Sequence, residues 1–146
     1  MRIWIVNWVF IIFLVGIYAG CKPDNREKNL NSIKDLKTKQ YAVVGQNLYL
    51  IHCANCHQVD GSGLGLVIPP LKDADYLKED VARSVRIIRY GQKGEIIVNG
   101  ATYNQPMPAN PSLKPIEIAQ IATYIHTRWG KGEQLISIDS VNTYLK

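Results

Sequence analysis

The segment that narrows the possible folds most is the pentapeptide at residues 53–57, Cys-Ala-Asn-Cys-His. Cysteines at this spacing can form thioethers with the two vinyl groups of one haem, while the adjacent histidine turns its imidazole onto the iron. Such a double link fixes the porphyrin to the backbone, so the rest of the chain must fold around it. The sequence therefore predicts one covalent haem c, attached through Cys53 and Cys56 and ligated by His57.

Two other kinds of site can contain cysteines at this spacing. A structural zinc site needs four ligands, and beyond the pentapeptide only His52 and His126 remain as further nitrogen or sulfur ligands of that type. A thioredoxin-like pair requires a βαβ context and has no need of the following histidine. Both alternatives are weaker than haem attachment. His52 is interpreted as an exposed side chain, and His126 as a neighbour of an apolar helix face.

Met107 is the candidate for the sixth ligand of the iron. It is the only methionine after Met1, and it lies between Pro106 and Pro108. A lone methionine can be core filling, but a proline on each side stiffens the loop and would hold the thioether in place. Sulfur ligation favours Fe(II) and raises the reduction potential, which suits an electron carrier.

The first twenty residues differ in composition from the rest of the chain. An apolar run from residue 3 to residue 19 follows Arg2 and is interrupted only by Asn7, which predicts an export signal over residues 1–20. An uncleaved N-terminal membrane helix is the alternative, although such a helix needs about 20 apolar residues. The run ends in Tyr-Ala-Gly before Cys21, which resembles the lipobox of bacterial lipoproteins. This resemblance implies a lipidated Cys21, and no cysteine is then left for a disulfide.

The net charge of +5 is concentrated near the N-terminus. Residues 22–40 hold six basic and three acidic side chains, whereas residues 41–146 hold ten basic and nine acidic ones. We interpret residues 21–40 as the lipidated cysteine followed by a flexible polar tether. The nearly neutral remainder has no basic stripe with interleaved aromatics, so nucleic-acid binding has no support.

Apolar periodicity after residue 41 predicts a mainly α domain over residues 41–130 and a tail over residues 131–146. A glycine- and proline-rich loop follows the pentapeptide, and Asn99-Gly100 between two β-prone runs predicts a small hairpin. The helices are predicted from 46 to 53, from 77 to a close at Gly91, and from Pro115 to a close at Gly130, with a further helical turn at 140–145.

The middle helix, from 77 to Gly91, carries three arginines away from its apolar stripe: Arg83, Arg86 and Arg89. We interpret them as a solvated face or a docking surface.

These features occur in the order seen in the class I, single-haem cytochrome c family, which the chain resembles from about Gly45 to Gly130. The resemblance implies a mainly α fold with three to five helices around one covalent haem and a small β-hairpin before the methionine loop. It also implies that Met107, in the segment Met-Pro-Ala, is the distal ligand.

The same resemblance implies several contacts. Pro69-Pro70-Leu71 is similar to the family's Pro-x-Leu, in which the proline carbonyl accepts a hydrogen bond from the proximal histidine. Gly45 and Tyr49 match the small and aromatic residues that pack against the last helix, where Tyr124 and Ile125 match their partners. The candidates for the walls of the haem crevice are Val67, Ile68, Leu71 and Tyr76.

The expected function is that of a membrane-tethered monohaem cytochrome c. It would pass single electrons between respiratory redox proteins on the outer side of the cytoplasmic membrane, without catalysis and without a small-molecule substrate. One alternative is a tightly bound cytochrome subunit of a dehydrogenase, reductase or terminal oxidase. A haem peroxidase is the weaker alternative, since it needs an open or easily opened iron and Met107 would occupy that coordination position.

Overall fold

The computed structural model describes residues 30–146, and within this range the chain is mainly helical. It forms six complete helices and one two-stranded sheet, where three to five helices were expected. No helix among these residues has the length and apolar character needed to cross a membrane. In chain order the elements are α1 (Leu36–His52), α2 (Ala54–His57), α3 (Asp75–Glu79), α4 (Val81–Tyr90), β1 (Ile96–Val98), β2 (Ala101–Tyr103), α5 (Pro115–Trp129) and α6 (Ile138–Tyr144).

The first and fifth helices cross in close contact, and Gly45 lies at the crossing. A Cβ atom at this glycine would lie 2.0 Å from the backbone oxygen of Gln120, so only glycine lets the two backbones approach this closely. Next to the crossing, the ring of Tyr49 lies 5.4 Å from that of Tyr124 and 5.3 Å from that of Trp129. The implied packing of Gly45 and Tyr49 against Tyr124 is therefore present, and it orients the end of α1 that leads into the pentapeptide.

Helix α1 begins at Leu36, well before the predicted start near Gln46. The carboxylate of Asp35 accepts a hydrogen bond of 2.7 Å from the backbone N–H of Thr38, which caps the first turn. The residues after the cap are mostly polar, so their hydrophobic pattern is too weak to indicate a helix. The extra turns are stabilised by this cap and by packing on α5.

The segment before α1 is also packed. Leu30 and Ile33 are buried, and the carboxylate of Glu133 accepts hydrogen bonds of 3.2 and 2.8 Å from the backbone N–H groups at positions 34 and 35. Residues 30–40 thus belong to the folded unit, which corrects the predicted tether boundary at residue 40. The partner at residue 133 is remote in sequence, so no local pattern indicates this contact. The export signal, Cys21 and the first part of the tether lie outside the described residues.

The single middle helix predicted to close at Gly91 is two helices, α3 and α4. The chain is extended at Asp80, whose carboxylate accepts a hydrogen bond of 2.9 Å from the backbone N–H of Arg83 and so caps α4. The apolar spacing continues across this break, which is why periodicity alone suggests one helix. Gly91 ends α4 with φ of +79°, as the helix-closing glycine was predicted to do.

The predicted hairpin is confirmed. Strands β1 and β2 are antiparallel, and their two-residue connection is Asn99-Gly100, with φ values of +51° and +77°. Positive φ at both positions is the geometry of a type I′ turn, which Asn-Gly adopts readily.

Helix α5 has the predicted start at Pro115 and the predicted capping glycine at position 130. The C-terminal tail, residues 131–146, packs against the rest of the fold. The backbone N–H of Ile136 donates to the Thr123 hydroxyl at 3.0 Å, and Val141 on α6 is fully buried. The tail therefore covers the side of α5 and completes the core.

Candidate haem site

A largely apolar cavity, partly open to solvent, occupies the centre of the fold. It is lined by the pentapeptide and the loop after it, by apolar side chains of α4 and α5, and by the methionine loop, which is residues 104–114 between β2 and α5. All six residues predicted for the haem site line this one cavity, namely Cys53, Cys56, His57, Pro69, Leu71 and Met107. None of its lining residues is an Asp, Glu, Lys or Arg, so the cavity suits a large apolar ring system.

The pentapeptide turns sharply between α1 and α2. The backbone N–H of Cys53 closes α1 on Tyr49 at 2.9 Å, and the Cys53 carbonyl accepts from the N–H groups of Cys56 and His57 at 3.2 and 3.0 Å. Cys53 is half-buried and Cys56 is exposed, and no disulfide joins them. Burial, with a smaller effect of neighbouring Cys56, raises the pKa of Cys53 to about 12, so this thiol is protonated at neutral pH.

His57 is buried, and its ring is oriented by one hydrogen bond. The Nδ1–H group donates to the Pro69 carbonyl at 3.2 Å, which is the contact that the family resemblance implies and leaves Nε2 free to ligate a metal. Burial lowers the pKa of His57, while the Pro69 carbonyl acts in the opposite direction. The imidazole is therefore favoured in the neutral form that binds metals.

The loop that brings Pro69 to His57 is held by backbone hydrogen bonds at Gly61 and Gly63. The Gly61 carbonyl accepts from the backbone N–H groups of Leu71 and Lys72 at 2.8 and 2.9 Å, and Gly63 donates to the His57 carbonyl at 3.1 Å. At Gly63, φ is +71° and a Cβ atom would lie 2.3 Å from the backbone oxygen of Ile68. A side chain at this position would push the loop away from His57.

Met107 is half-buried and belongs to a bridge with Gln92. Its N–H donates to the Gln92 carbonyl at 2.9 Å, and its carbonyl accepts from the Gln92 N–H at 3.0 Å. The structure thus brings Met107 to the same cavity as His57, fifty positions away in the chain.

The predicted walls are correct with one exception. Ile68, Leu71 and Tyr76 line the cavity, whereas Val67 does not and is 51% exposed. Val67 lies in the tight turn closed by the Leu64–Ile68 bridge, which directs it outward. The sequence analysis also missed four polar lining residues, because no sequence signal separates them from surface residues: Ser84, Gln92, Gln105 and Asn110.

The two remaining histidines lie in different environments. His52 is exposed and lines the cavity beside Cys53, whereas His126 is buried in α5 and does not line the cavity. Within the described residues the Nε2 atom of His126 has no hydrogen-bond partner, and burial lowers its pKa to about 4. No group of three or more His, Cys, Asp or Glu side chains in residues 30–146 could hold a metal ion, so the zinc alternative gains no support.

The sequence model of the cytochrome c family matches residues 42–129, which is more than half of the chain. The chain belongs to the cytochrome c family. The cofactor of this cytochrome is covalently bound haem c, for which Cys53, Cys56 and His57 have the required spacing. The cavity fits this group, because its apolar lining meets both cysteines and a histidine whose Nε2 is free.

Curated relatives include two cytochromes c-552 of Thermus thermophilus. Each is 35% identical over 95 residues, which cover 62% of this chain and 72% or 64% of the relative. The cytochrome c subunit of a quinone alcohol dehydrogenase from Gluconacetobacter polyoxogenes is 33% identical over 92 residues. That match covers 61% of this chain and 19% of the subunit, so the likeness to the dehydrogenase subunit extends to one part of it.

Proposed function

We propose that this cytochrome carries single electrons between redox proteins, with His57 and Met107 as the two axial ligands of its haem. The observation that carries the proposal is the single cavity lined by Cys53, Cys56, His57 and Met107. When bound, the haem supplies an iron that changes oxidation state by one electron. A carrier has to do this with little rearrangement, and a covalently held group with two fixed ligands meets that requirement.

The residues of the chain supply rigidity and access. His57 is held by Pro69, and Met107 is held by Gln92, so both proposed ligands are oriented by backbone groups. Cys56 is exposed, which brings one attachment point to the molecular surface. A partner protein could therefore approach this edge directly, and the apolar walls keep the interior of the cavity shielded from water.

The proposed partners are an electron donor and an electron acceptor, both redox proteins. A stable place in a dehydrogenase, reductase or terminal oxidase is the second candidate, and the likeness to a dehydrogenase cytochrome subunit supports it. Purification of the native protein alone or with a partner distinguishes a free carrier from a subunit. A peroxidase is not favoured, because Met107 lines the cavity and is tied to Gln92.

Replacing Met107 by alanine tests the proposal. If Met107 is the distal ligand, the oxidised wild type shows the weak far-red sulfur-to-iron charge-transfer band, and Met107→Ala loses it completely while the haem stays attached. The reduction potential falls, because the ligand that favours Fe(II) is gone. Carbon monoxide binds faster and peroxidase activity rises. Absorption spectra and a potentiometric titration measure these changes.

The opposite result would favour a peroxidase over an electron carrier. In that case the wild type is already high-spin, binds carbon monoxide rapidly and turns over peroxide, and Met107→Ala leaves its spectrum unchanged. Met107 would then be core filling.

We further propose that the protein is exported and tethered to the outer side of the cytoplasmic membrane through lipidated Cys21. The apolar run before Cys21 supports this, as does the excess of basic side chains after it, which adds weak attraction to anionic headgroups. The wild type is expected to fractionate with membranes and to carry lipid, and Cys21→Ser is expected to remain an unprocessed precursor without the lipid. Mass spectrometry of the mature N-terminus shows whether Cys21 is its first residue and carries lipid. A mature wild-type chain that begins elsewhere and is free in the periplasm rules the anchor out.

A further inference from the structure

The methionine loop is not held in place by hydrogen bonds of its own. It contains Pro106, Pro108 and Pro111, each of which lacks a backbone N–H group. Within it, one backbone hydrogen bond is formed, from the N–H of Leu113 to the Asn110 carbonyl at 3.3 Å. The position of Met107 therefore depends on contacts with the rest of the fold.

Those contacts come from the C-terminal end of α4. Besides the Gln92–Met107 bridge, the backbone N–H of Asn110 donates to the Arg89 carbonyl at 3.2 Å, and its side-chain amide donates to the Ile88 carbonyl at 3.1 Å. These carbonyls lie in the last turn of α4, where they have no partner inside the helix. The methionine loop thus donates hydrogen bonds to carbonyls at the end of α4 that have no partner inside the helix. These bonds in turn fix the position of the loop.

Arg89 makes the strongest of these links. Its Nη1 donates to the carbonyls of both Pro111 and Leu113, at 2.7 and 2.8 Å, so one guanidinium spans the far end of the loop. A hydrogen bond from a charged donor is worth more than one between neutral groups. The two carbonyls have no other hydrogen-bond donor among the described residues.

Gly91 brings the loop close to the helix end. Its φ is +79°, and a Cβ atom there would lie 2.4 Å from the Met107 carbonyl and 2.9 Å from the Ala109 nitrogen. The absence of a side chain lets the backbone at Met107 lie directly against the end of α4.

The other two arginines of α4 have different contacts. Arg83 lies 3.6 Å from the centre of the Tyr76 ring and donates to the Tyr76 carbonyl. Arg86 is exposed and lies 3.8 Å from the carboxylate of Asp80. Neither has a hydrogen bond or ion pair to the methionine loop.

We infer that Arg89 is a positioning residue for the distal ligand: it anchors the loop at Pro111 and Leu113 and thereby keeps Met107 on the iron. The inference rests on the proposed ligation by Met107. Without the guanidinium, the far end of the loop is released and Met107 detaches more often. An added ligand that competes with Met107 should then bind more tightly, because its apparent affinity scales with the detached fraction.

The test is an imidazole titration of the oxidised holoprotein, followed by the change in the haem absorption spectrum. In Arg89→Gln we expect the apparent Kd for imidazole to fall by about tenfold or more, since tenfold is the lower end of the effect of losing one hydrogen bond from a charged group. The matched control is Arg86→Gln, which removes a charge from the same helix but touches no loop residue. Its Kd should stay within about twofold of the wild type, since exposed ion pairs contribute little. Both variants should keep the haem attached.

Two results would overturn the inference, and they differ in what else they overturn. If Arg89→Gln binds imidazole as the wild type does, Arg89 does not position Met107, while the ligation by Met107 stands. If the wild type and Met107→Ala bind imidazole equally well, both the ligation and this inference are wrong. Should Arg89→Gln fail to accumulate as a folded holoprotein, Arg89→Lys replaces it. We expect Arg89→Lys to lower the Kd for imidazole less than Arg89→Gln would. A Kd equal to that of the wild type would overturn the inference.

Discussion

Replacing both Cys53 and Cys56 by alanine is expected to abolish covalent haem completely. The two thiols are the only cysteines in the described residues, and both line the cavity at the end of α1. Without them no thioether can form, although His57 and the apolar walls are unchanged. After expression with haem-maturation machinery in an oxidising compartment, the wild type should gain the mass of one haem that survives denaturation. The double variant should show the mass of the polypeptide alone.

The chain offers a matched control for this experiment. Cys21→Ser also removes a cysteine but leaves the pentapeptide intact, so it should retain covalent haem whatever its effect on lipidation. Pyridine haemochrome spectra of both variants quantify the attached haem. Extraction of the haem from the wild type by acidified acetone would contradict covalent attachment through Cys53 and Cys56.

Gly45→Ala is expected to destabilise the fold by about 3 kcal/mol or more, at or beyond the upper end of the usual effect of overpacking. The added methyl group would lie 2.0 Å from the Gln120 oxygen and 2.5 Å from its carbonyl carbon. Both are backbone atoms, so no side-chain rotation relieves the clash and α1 must move away from α5. That movement also separates Tyr49 from Tyr124 and Trp129, whose rings lie within 5.6 Å of one another.

The free energy of unfolding of the holoprotein, measured by chemical denaturation, gives the size of the effect. Asn47→Ala is the control, because it lies on the same helix at an exposed position and should change stability by no more than about 0.5 kcal/mol. Equal stabilities of the two variants would show that α1 and α5 do not depend on a glycine at their crossing.

Elements with strong local signals were predictable from the sequence. Asn99-Gly100 gave the hairpin, because positive φ is accessible to both residues. Pro115 and Gly130 gave the bounds of α5, because proline suits the first turn of a helix and glycine its end. Elements without such signals were missed, as at Asp80, where a capping carboxylate splits a continuous apolar stripe into two helices.

The site was predictable to different degrees. Cys53, Cys56 and His57 are contiguous, so their spacing carries the chemistry without any fold. The Pro69 contact was implied by the family resemblance alone, since nothing in the residues themselves relates that carbonyl to His57. Ligation by Met107 stays a prediction, and the structure adds that this residue lines the same cavity.

The sequence by itself determined the covalent chemistry and the mainly helical class, because cysteine spacing, hydrophobic periodicity and capping residues act over short stretches of chain. Only the tertiary structure decided how distant residues are used. Arg89 looked like a solvated cation on α4, yet its guanidinium holds the methionine loop. Leu30 and Ile33 looked like part of a tether, yet they are buried. The carbonyls that Arg89 meets lie 22 and 24 positions further along the chain. A local pattern shows which side chains are polar or apolar without showing what they contact in the fold.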